Sequence, residues 1–445
     1  MSSSTQTGGQ PPRHLNILDA MGIVVGIVIG AGIFKAPGLV ASNTGGSEMM
    51  MLAWAAGGFF CLCAALSYAE LACAFPRAGG EYTFLVESYG KPVGFLFVWA
   101  RMTVIQTGSI AALAYIFGDY LAAVFAELGA PSAVFALAAV VALSLVNAAG
   151  IKMSKWSQNF LTAFKVAGVL AIVVAGLFAD GDSGGAKVAD GSGAFGLAMV
   201  FVLYTYGGWN EAAYVGGEVR QPGRNMKWVL IGSVLALTVL YLAVNAAYLK
   251  ILGPEGMRSS GAVAADAMEK VAGRTGSLCV SLLVAISALG AMNGCVFTGA
   301  RAVQAMGNEW PLFKPLGQWH DRFKTPVNAI LAQGAMASLL VLLPFLGEGI
   351  QKAVGAGFNT AVEYTAPVFW AFLLLTGLAV FVLRKTAPDL ERPFRVPLYP
   401  LTVLLFCLMS GYMLYSSLMY TKAGALVGVA VLLLGVPVYW ACRQK

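Results

Sequence analysis

The sequence predicts an all-α membrane protein of twelve transmembrane helices, two of them interrupted near mid-span. Three observations carry this. Of the 445 residues, 58% are hydrophobic and only 11% charged, against roughly 25% charged in an ordinary soluble domain. The apolar runs extend far beyond the ~10 residues of a membrane-barrel strand. Paired glycines interrupt two of those runs halfway along, at Gly30-Ala31-Gly32 and at Gly207-Gly208.

Backbone amides in hydrocarbon must be satisfied internally, so spanning elements are helices or a closed barrel. Barrel strands alternate in polarity, whereas Val166 to Phe178 and Leu426 to Trp440 are apolar on every side. Segments bounded by charge or turn residues fall at about 17–42, 48–75, 92–126, 132–149, 155–179, 193–217, 227–252, 275–304, 327–346, 355–383, 398–418 and 424–441. The stretch Met1 to Leu15 is polar and lacks the small-residue exit site of a cleavable signal peptide, so the first apolar segment is expected to remain a span.

The net charge of +7 raises the question of a nucleic-acid partner, and its distribution answers it. With the N-terminus in the cytoplasm, cytoplasmic connections carry eighteen Lys and Arg, among them Arg77, Arg220, Arg224, Arg384 and Arg392. The opposite side carries seven, among them Lys250, Arg258 and Lys422. That bias is the positive-inside pattern, so the basic excess reports topology with both termini cytoplasmic, and no nucleic acid is expected.

Short loops leave no room for a catalytic domain. The seven cysteines are scattered without metal-ligand spacing, and Cys61-x-Cys63 reads as helix packing. The Gly- and Asp-rich connection Asp180 to Ser192 reads as a flexible linker, and its Gly181-Asp182-Ser183-Gly184-Gly185 looks like the nucleophile motif of trypsin-like serine proteases. A nucleophilic serine needs a base within hydrogen-bond reach. The only histidines, His14 and His320, belong to the other side of the membrane. No Gly-x4-Gly-Lys-Ser/Thr phosphate loop is present, so ATP-driven transport by this chain alone is not expected. No catalytic residue, metal or cofactor is predicted.

In the first span, the triplet Gly30-Ala31-Gly32 lies about thirteen residues in, which is ~20 Å along a helix and close to mid-bilayer. Gly22, Gly26 and Gly30 also form a double GxxxG face, which packing alone would explain. The sixth span decides between the two. Tyr204-Thr205-Tyr206-Gly207-Gly208-Trp209-Asn210-Glu211 again sets glycines and polar groups halfway along an apolar segment. First and sixth are corresponding positions in a chain that divides into two five-helix halves plus two extra helices, and matched interruptions mark a midplane site in an inverted-repeat transporter. A half-helix starting after Gly30 offers free amides and roughly half a positive charge, which suit a carboxylate. Freed carbonyls on the preceding half suit an ammonium. A zwitterionic amino acid needs both.

Gly30-Ala31-Gly32-Ile33-Phe34-x-x-Pro37, Pro76-Arg77-Ala78-Gly79-Gly80-Glu81-Tyr82, Tyr206-Gly207-Gly208-Trp209-Asn210, Gly217-Glu218-Val219-x-x-Pro222 and Arg392-Pro393-Phe394 stand in that order. Together they resemble the amino acid–polyamine–organocation superfamily, most nearly its L-type branch, which holds the light subunits of heteromeric amino-acid transporters and their bacterial relatives. The resemblance covers Ile17 to about Leu418. It implies a leucine-transporter-like 5+5 inverted repeat with discontinuous helices 1 and 6. The divisions are then a cytoplasmic tail at 1–16, a transport core at 17–383 with repeats about 17–179 and 193–383, and two additional helices at 384–445. It further implies that amides at Gly30, Ala31 and Gly32 hold the substrate carboxylate, and that carbonyls near Val28 and Tyr204 hold its amine. Tyr204 matches the aromatic gate over the substrate, Asn210 a polar position beside it, and Gly207 the second break. The middle residue of the triplet, often serine in the family, is Ala31 here, which removes a hydroxyl and leaves the amides.

Charges at membrane depth need partners or tasks. Lys165 lies about eleven residues into the fifth span, where a Lys costs roughly 2.5–3.5 kcal/mol on insertion scales. By resemblance its ammonium takes the place of the cation that sodium-coupled relatives bind between the first and eighth helices, with Ser287 as the matching contact. It reads either as a proton-exchanging coupling group or as a charged strut. Glu211 reads as a salt-bridge partner of another helix or as a carboxylate in the pocket, and Arg101, Glu70 and Glu363 as interhelical or interfacial charges.

The expected function is therefore sodium-independent, alternating-access transport of an amino-acid substrate, as an exchanger of neutral amino acids. The alternative is proton-coupled symport through Lys165, and a cationic amino-acid or polyamine carrier stands behind both. A channel or receptor lacks support, because the chain shows broken helices rather than rings of repeated pore side chains. Animal light subunits join a heavy chain through a cysteine between spans three and four. The loop Glu127 to Ser132 has none, so no disulfide-linked partner is expected. The expected location is the cell membrane, in bacteria the inner membrane.

Overall fold

The computed structural model describes residues 13, 15–76, 79–179, 195–342, 345, 358–420 and 422–443, and their regular structure is helical. The only strand pairing among the described residues is two isolated bridges, Leu15 with Val219 and His320 with Thr325. The helices, in order, are α1 Ile17–Val28, α2 Gly32–Ser42, α3 Ser47–Ala74, α4 Glu81–Tyr89, α5 Lys91–Ala100, α6 Gln106–Val124, α7 Ser132–Ala148 and α8 Ile151–Phe178. They continue as α9 Phe195–Tyr206, α10 Pro222–Ser259, α11 Val263–Glu309, α12 Val327–Leu342, α13 Phe358–Thr386, α14 Leu401–Tyr420 and α15 Lys422–Arg443. A π-helical turn, Arg101–Ile105, joins α5 to α6 into one rod.

Seven of these stretches are long and apolar enough to cross a membrane, and eight when the bent pair α1 and α2 counts as one span. α7, α12 and the apolar part of α15 are shorter apolar helices. The protein is thus a multi-spanning helical membrane protein. The longest helices overrun the expected apolar segments. α10 continues past a non-helical Gly253 ahead of Pro254, and α11 begins before a non-helical Ala272-Gly273. Both interruptions have a glycine at positive φ, 70° and 62°. Such a conformation costs an L side chain ~1–2 kcal/mol, so a membrane-depth rod is separated there from a flanking helical piece.

Local chemistry sets the start of α1. Asn16 and Asp19 form a capping box, with Asp19 N–H donating to Asn16 Oδ1 at 2.8 Å and Asn16 N–H to Asp19 Oδ2 at 3.3 Å. Such caps are worth ~1 kcal/mol. Small residues then let helices approach, as they must where lipid supplies no hydrophobic driving force between helices. A Cβ at Gly57 of α3 would lie 2.3 Å from Val202 of α9, and one at Gly58 would lie 2.4 Å from Thr238 of α10.

Glu70, buried on α3, is held by Arg384 of α13 through bonds of 2.9 and 2.6 Å and by Arg392 at 3.5 Å. The Val396 amide also donates to it at 2.7 Å. The Arg392-Pro393-Phe394 sequence therefore pins the connection between α13 and α14 onto α3, an interhelical pairing of the kind expected for Glu70. The Asp180 to Ser192 connection with its Gly-Asp-Ser-Gly-Gly sequence, the tail before Arg13, His14, and Arg77 and Ala78 lie outside the described residues.

Candidate functional site

The first span is broken and bent by 50° between α1 and α2. Ile29, Gly30 and Ala31 leave the helix, so the break sits one residue earlier than the glycine triplet suggests and Gly32 already opens the second half. The Gly30 amide turns back onto the Val28 carbonyl at 2.7 Å. Ala31 is the N-cap of α2 and has no side-chain oxygen to offer. Among the described residues no acceptor meets the amides of Ala31 and Gly32. These are the orphan donors of a helix N-terminus, carrying its positive partial charge.

The C-terminal carbonyls of α1 are its negative end, and side chains from three helices reach them. Lys165 of α8, wholly buried, donates its ammonium to the Gly26 carbonyl. Thr162 donates to Gly22 at 3.1 Å, Tyr241 of α10 to Val28 at 2.9 Å, and Ser287 of α11 to Ile29 at 2.8 Å. α11 makes room for the lysine, since a Cβ at Gly290 would lie 2.6 Å from Lys165 Cε. Lys165 thus grips the last turn of α1 from α8, and Ser287 grips Ile29, the first residue of the break, from α11. The GxxxG face also packs, with Gly22 and Gly26 against α8 and Gly30 against Ala291 of α11 and Leu113 of α6. Val28's carbonyl already accepts two bonds, whereas among the described residues no donor meets that of Ile27.

The second break follows α9. Gly207 donates to the Tyr204 carbonyl at 3.1 Å, and Gly208 adopts φ 106°. The chain resumes as a 3-10 helix, Trp209–Glu218, rather than an α-helix. A Cβ at Gly208 would lie 2.9 Å from Ile27 Cγ2, so the two breaks touch. Tyr241 bridges them, its hydroxyl lying 2.9 Å from the Val28 carbonyl and 3.3 Å from that of Thr205.

Between the breaks lies a cavity of about 160 Å³, bordered by Val28, Gly30, Ala31, Gly32, Tyr204, Gly207 and Asn210. Ile27 borders it too. An apolar cavity of ~150 Å³ takes up benzene, and pockets for drug-sized ligands run ~300–1,000 Å³, so this volume suits a solute of amino-acid size. Tyr204 is 40% exposed, its surface turned to the cavity. Ile105, Gln106 and Ser109, Cys295 of α11, and Phe369 and Trp370 of α13 are among the other wall residues. Two of the polar wall groups are engaged with backbone: Gln106 donates to the Cys295 carbonyl at 2.7 Å and Ser109 to that of Ile105 at 2.8 Å.

On the side where α1 begins, the floor is a layer of buried charge. Asn210 donates to Glu81 at 3.0 Å, and the hydroxyls of Tyr68 and Tyr214 donate to the same carboxylate. Glu211 borders the cavity and is also held by Arg101, whose Nη2 donates to its two oxygens at 2.8 and 2.6 Å. Further from the cavity, Arg301 of α11 pairs with Glu218. Leu15 is laced to the same segment, its amide donating to the Glu218 carbonyl and its carbonyl accepting from Arg220, each at 2.9 Å. Tyr241, and Tyr68 and Tyr214 among the partners of Glu81, carry no mark in the sequence. Tyr241 stands in an apolar run, and Glu81 shows only as part of a motif.

A family model described as amino acid permease matches residues 15–441. The chain is 32% identical over 408 residues to b(0,+)-type amino acid transporter 1 of Mus musculus, covering 89% of this chain and 81% of that one. It is 30% identical over 441 residues to the serine/threonine exchanger SteT of Bacillus subtilis (strain 168), covering 97% of each. Against the cystine/glutamate transporter of Homo sapiens it is 31% identical over 448 residues, covering 97% and 85%. The chain belongs to the amino acid permease family, within the amino acid–polyamine–organocation superfamily, and is a membrane transporter rather than an enzyme.

Proposed function

We propose that this protein is a sodium-independent exchanger of neutral L-amino acids in the cell membrane, working by alternating access on twelve spans with both termini cytoplasmic. The core is 17–383, an inverted repeat of about 17–179 and 193–383, flanked by the tail 1–16 and the additional helices of 384–445. The substrate carboxylate lies on the amides of Ala31 and Gly32, beside Gly30. Its ammonium lies among the carbonyls of Ile27, Val28 and Tyr204, with Gly207 and Asn210 beside it and Tyr204 as the gate. On this reading the Glu81, Arg101 and Arg301 pairs form the barrier between the site and the cytoplasm.

The observation that carries this reading is a single cavity of amino-acid size bordered at once by unmet helix N-terminal amides and by the carbonyl end of a broken helix. Relatives named as a serine/threonine exchanger and as amino acid transporters agree with it. Lys165 supports sodium independence, since its ammonium already supplies a cation to the α1 carbonyls. The same buried ammonium favours a second reading, proton-coupled symport.

Counterflow in proteoliposomes preloaded with single amino acids, with sodium and pH gradients varied separately, tests both. Exchange is expected to need internal neutral amino acid and to ignore sodium. Uptake driven by a pH gradient into empty vesicles would instead establish symport. Tyr241→Phe removes the hydroxyl that, among the described residues, touches both breaks. The single hydroxyl proton donates one bond at a time, worth ~1 kcal/mol, so half-saturation for the substrate is expected to rise roughly fivefold. An unchanged value would take Tyr241 out of the frame of the site.

A further inference from the structure

Glu211 is the only charged side chain among the described residues that border the cavity. A carboxylate in such a wall is by itself a seat for a cation. Here the seat is taken from behind. Arg101, 1% exposed, meets Glu211 with two bonds of 2.8 and 2.6 Å and lies with its guanidinium 3.8 Å over the Tyr214 ring. It does not itself border the cavity. Arg101 opens the π-helical turn Arg101–Ile105, and the far end of that turn, Ile105 with the adjoining Gln106, forms cavity wall. π turns inside α-helices recur at functional sites. The other carboxylate nearby, Glu81, is met by the neutral donors Tyr68, Tyr214 and Asn210 and is not part of the cavity wall.

We infer that Arg101 is a specificity-determining residue that excludes amino acids with cationic side chains, by occupying Glu211 as a tethered cation. This rests on the amino-acid transport reading above. A lysine or arginine substrate would have to displace a guanidinium whose Nη2 meets both oxygens of Glu211 and that is covalently held in place. A neutral substrate meets a wall of zero net charge. Specificity is a difference of affinities, and here the difference comes from a competing group already in the seat. Without Arg101 the wall presents an uncompensated carboxylate and the preference should turn toward cations.

The test uses the full-length protein and reads binding as ligand-induced thermal stabilisation, so a folded but transport-inactive variant still answers. In wild type, neutral amino acids stabilise and lysine and arginine do not. In Arg101→Gln, apparent affinity for lysine and arginine is expected to rise tenfold or more. The gain should vanish in the double variant R101Q/E211Q. In Glu211→Gln, the freed Arg101 should raise affinity for glutamate or aspartate. A folded R101Q that binds neutral amino acids and shows no gain for lysine overturns the inference while leaving the transport reading intact. If neither single variant folds while the charge-swapped R101E/E211R does, the pair is a structural strut and the inference is wrong. If no amino acid stabilises wild type, the transport reading itself fails, and the inference with it.

Discussion

Replacing Gly208 by valine is expected to abolish transport, with counterflow falling at least 100-fold while the protein still inserts and elutes as a single species. Gly208 sits at φ 106°, which a β-branched residue adopts only at a cost of ~1–3 kcal/mol. Its Cβ would also lie 2.9 Å from Ile27 Cγ2, the side chain of the other break. The substitution therefore pushes the two half-helices apart where the cavity needs them together. Gly30→Val is the informative comparison. A Cβ there meets nothing closer than 3.8 Å and Gly30 borders the cavity, so a loss there comes from altering the break or filling the cavity rather than from a Cβ clash with a neighbouring helix. Transport at the wild-type rate in Gly208→Val would return the second glycine pair to a packing role.

Replacing Lys165 by methionine is the second large effect. The swap nearly conserves volume and removes the ammonium from the Gly26 carbonyl, leaving the negative end of α1 without its buried cation. Counterflow is expected to drop by 100-fold or more, and Ser287→Ala, which removes only the 2.8 Å bond to Ile29, by roughly tenfold. The pair of measurements separates coupling from support. A Lys165→Met protein that still exchanges amino acids but has lost uptake driven by a pH gradient assigns the lysine to proton coupling. Full exchange together with lowered thermal stability assigns it to holding α1.

Much of this was legible because membrane sequence is restrictive. A glycine pair in the middle of an apolar run has few explanations, and two such pairs in corresponding spans have fewer, so the sequence alone points to both breaks. Lys165 stood out for the same reason, as a charge at a depth where charge is costly. What could not be read was partnership. Glu81 takes donors from Tyr68 of α3 and from Asn210 and Tyr214 of the 3-10 helix after Gly208, and Arg101 meets Glu211 across 110 residues of chain. A sequence shows that such groups need partners without showing which. Tyr241 was hidden by a different cause. An aromatic in an apolar run looks like any other packing residue, and only the placement of α10 against both breaks aims its hydroxyl at Val28 and Thr205. The 3-10 winding after Gly208 is likewise a tertiary result, since nothing in Trp209 to Glu218 forbids an α-helix.

The central claim is that the two charged ends of one amino acid sit in the two breaks, the carboxylate on the amides of Ala31 and Gly32 and the ammonium on carbonyls before the break. The most direct measurement is competition in counterflow by a neutral substrate amino acid, its methyl ester and its N-acetyl derivative, which block one end at a time and leave the side chain unchanged. The site predicts that each derivative competes at least 100-fold more weakly than the parent. Equal competition by either derivative would contradict the assignment of that end of the site.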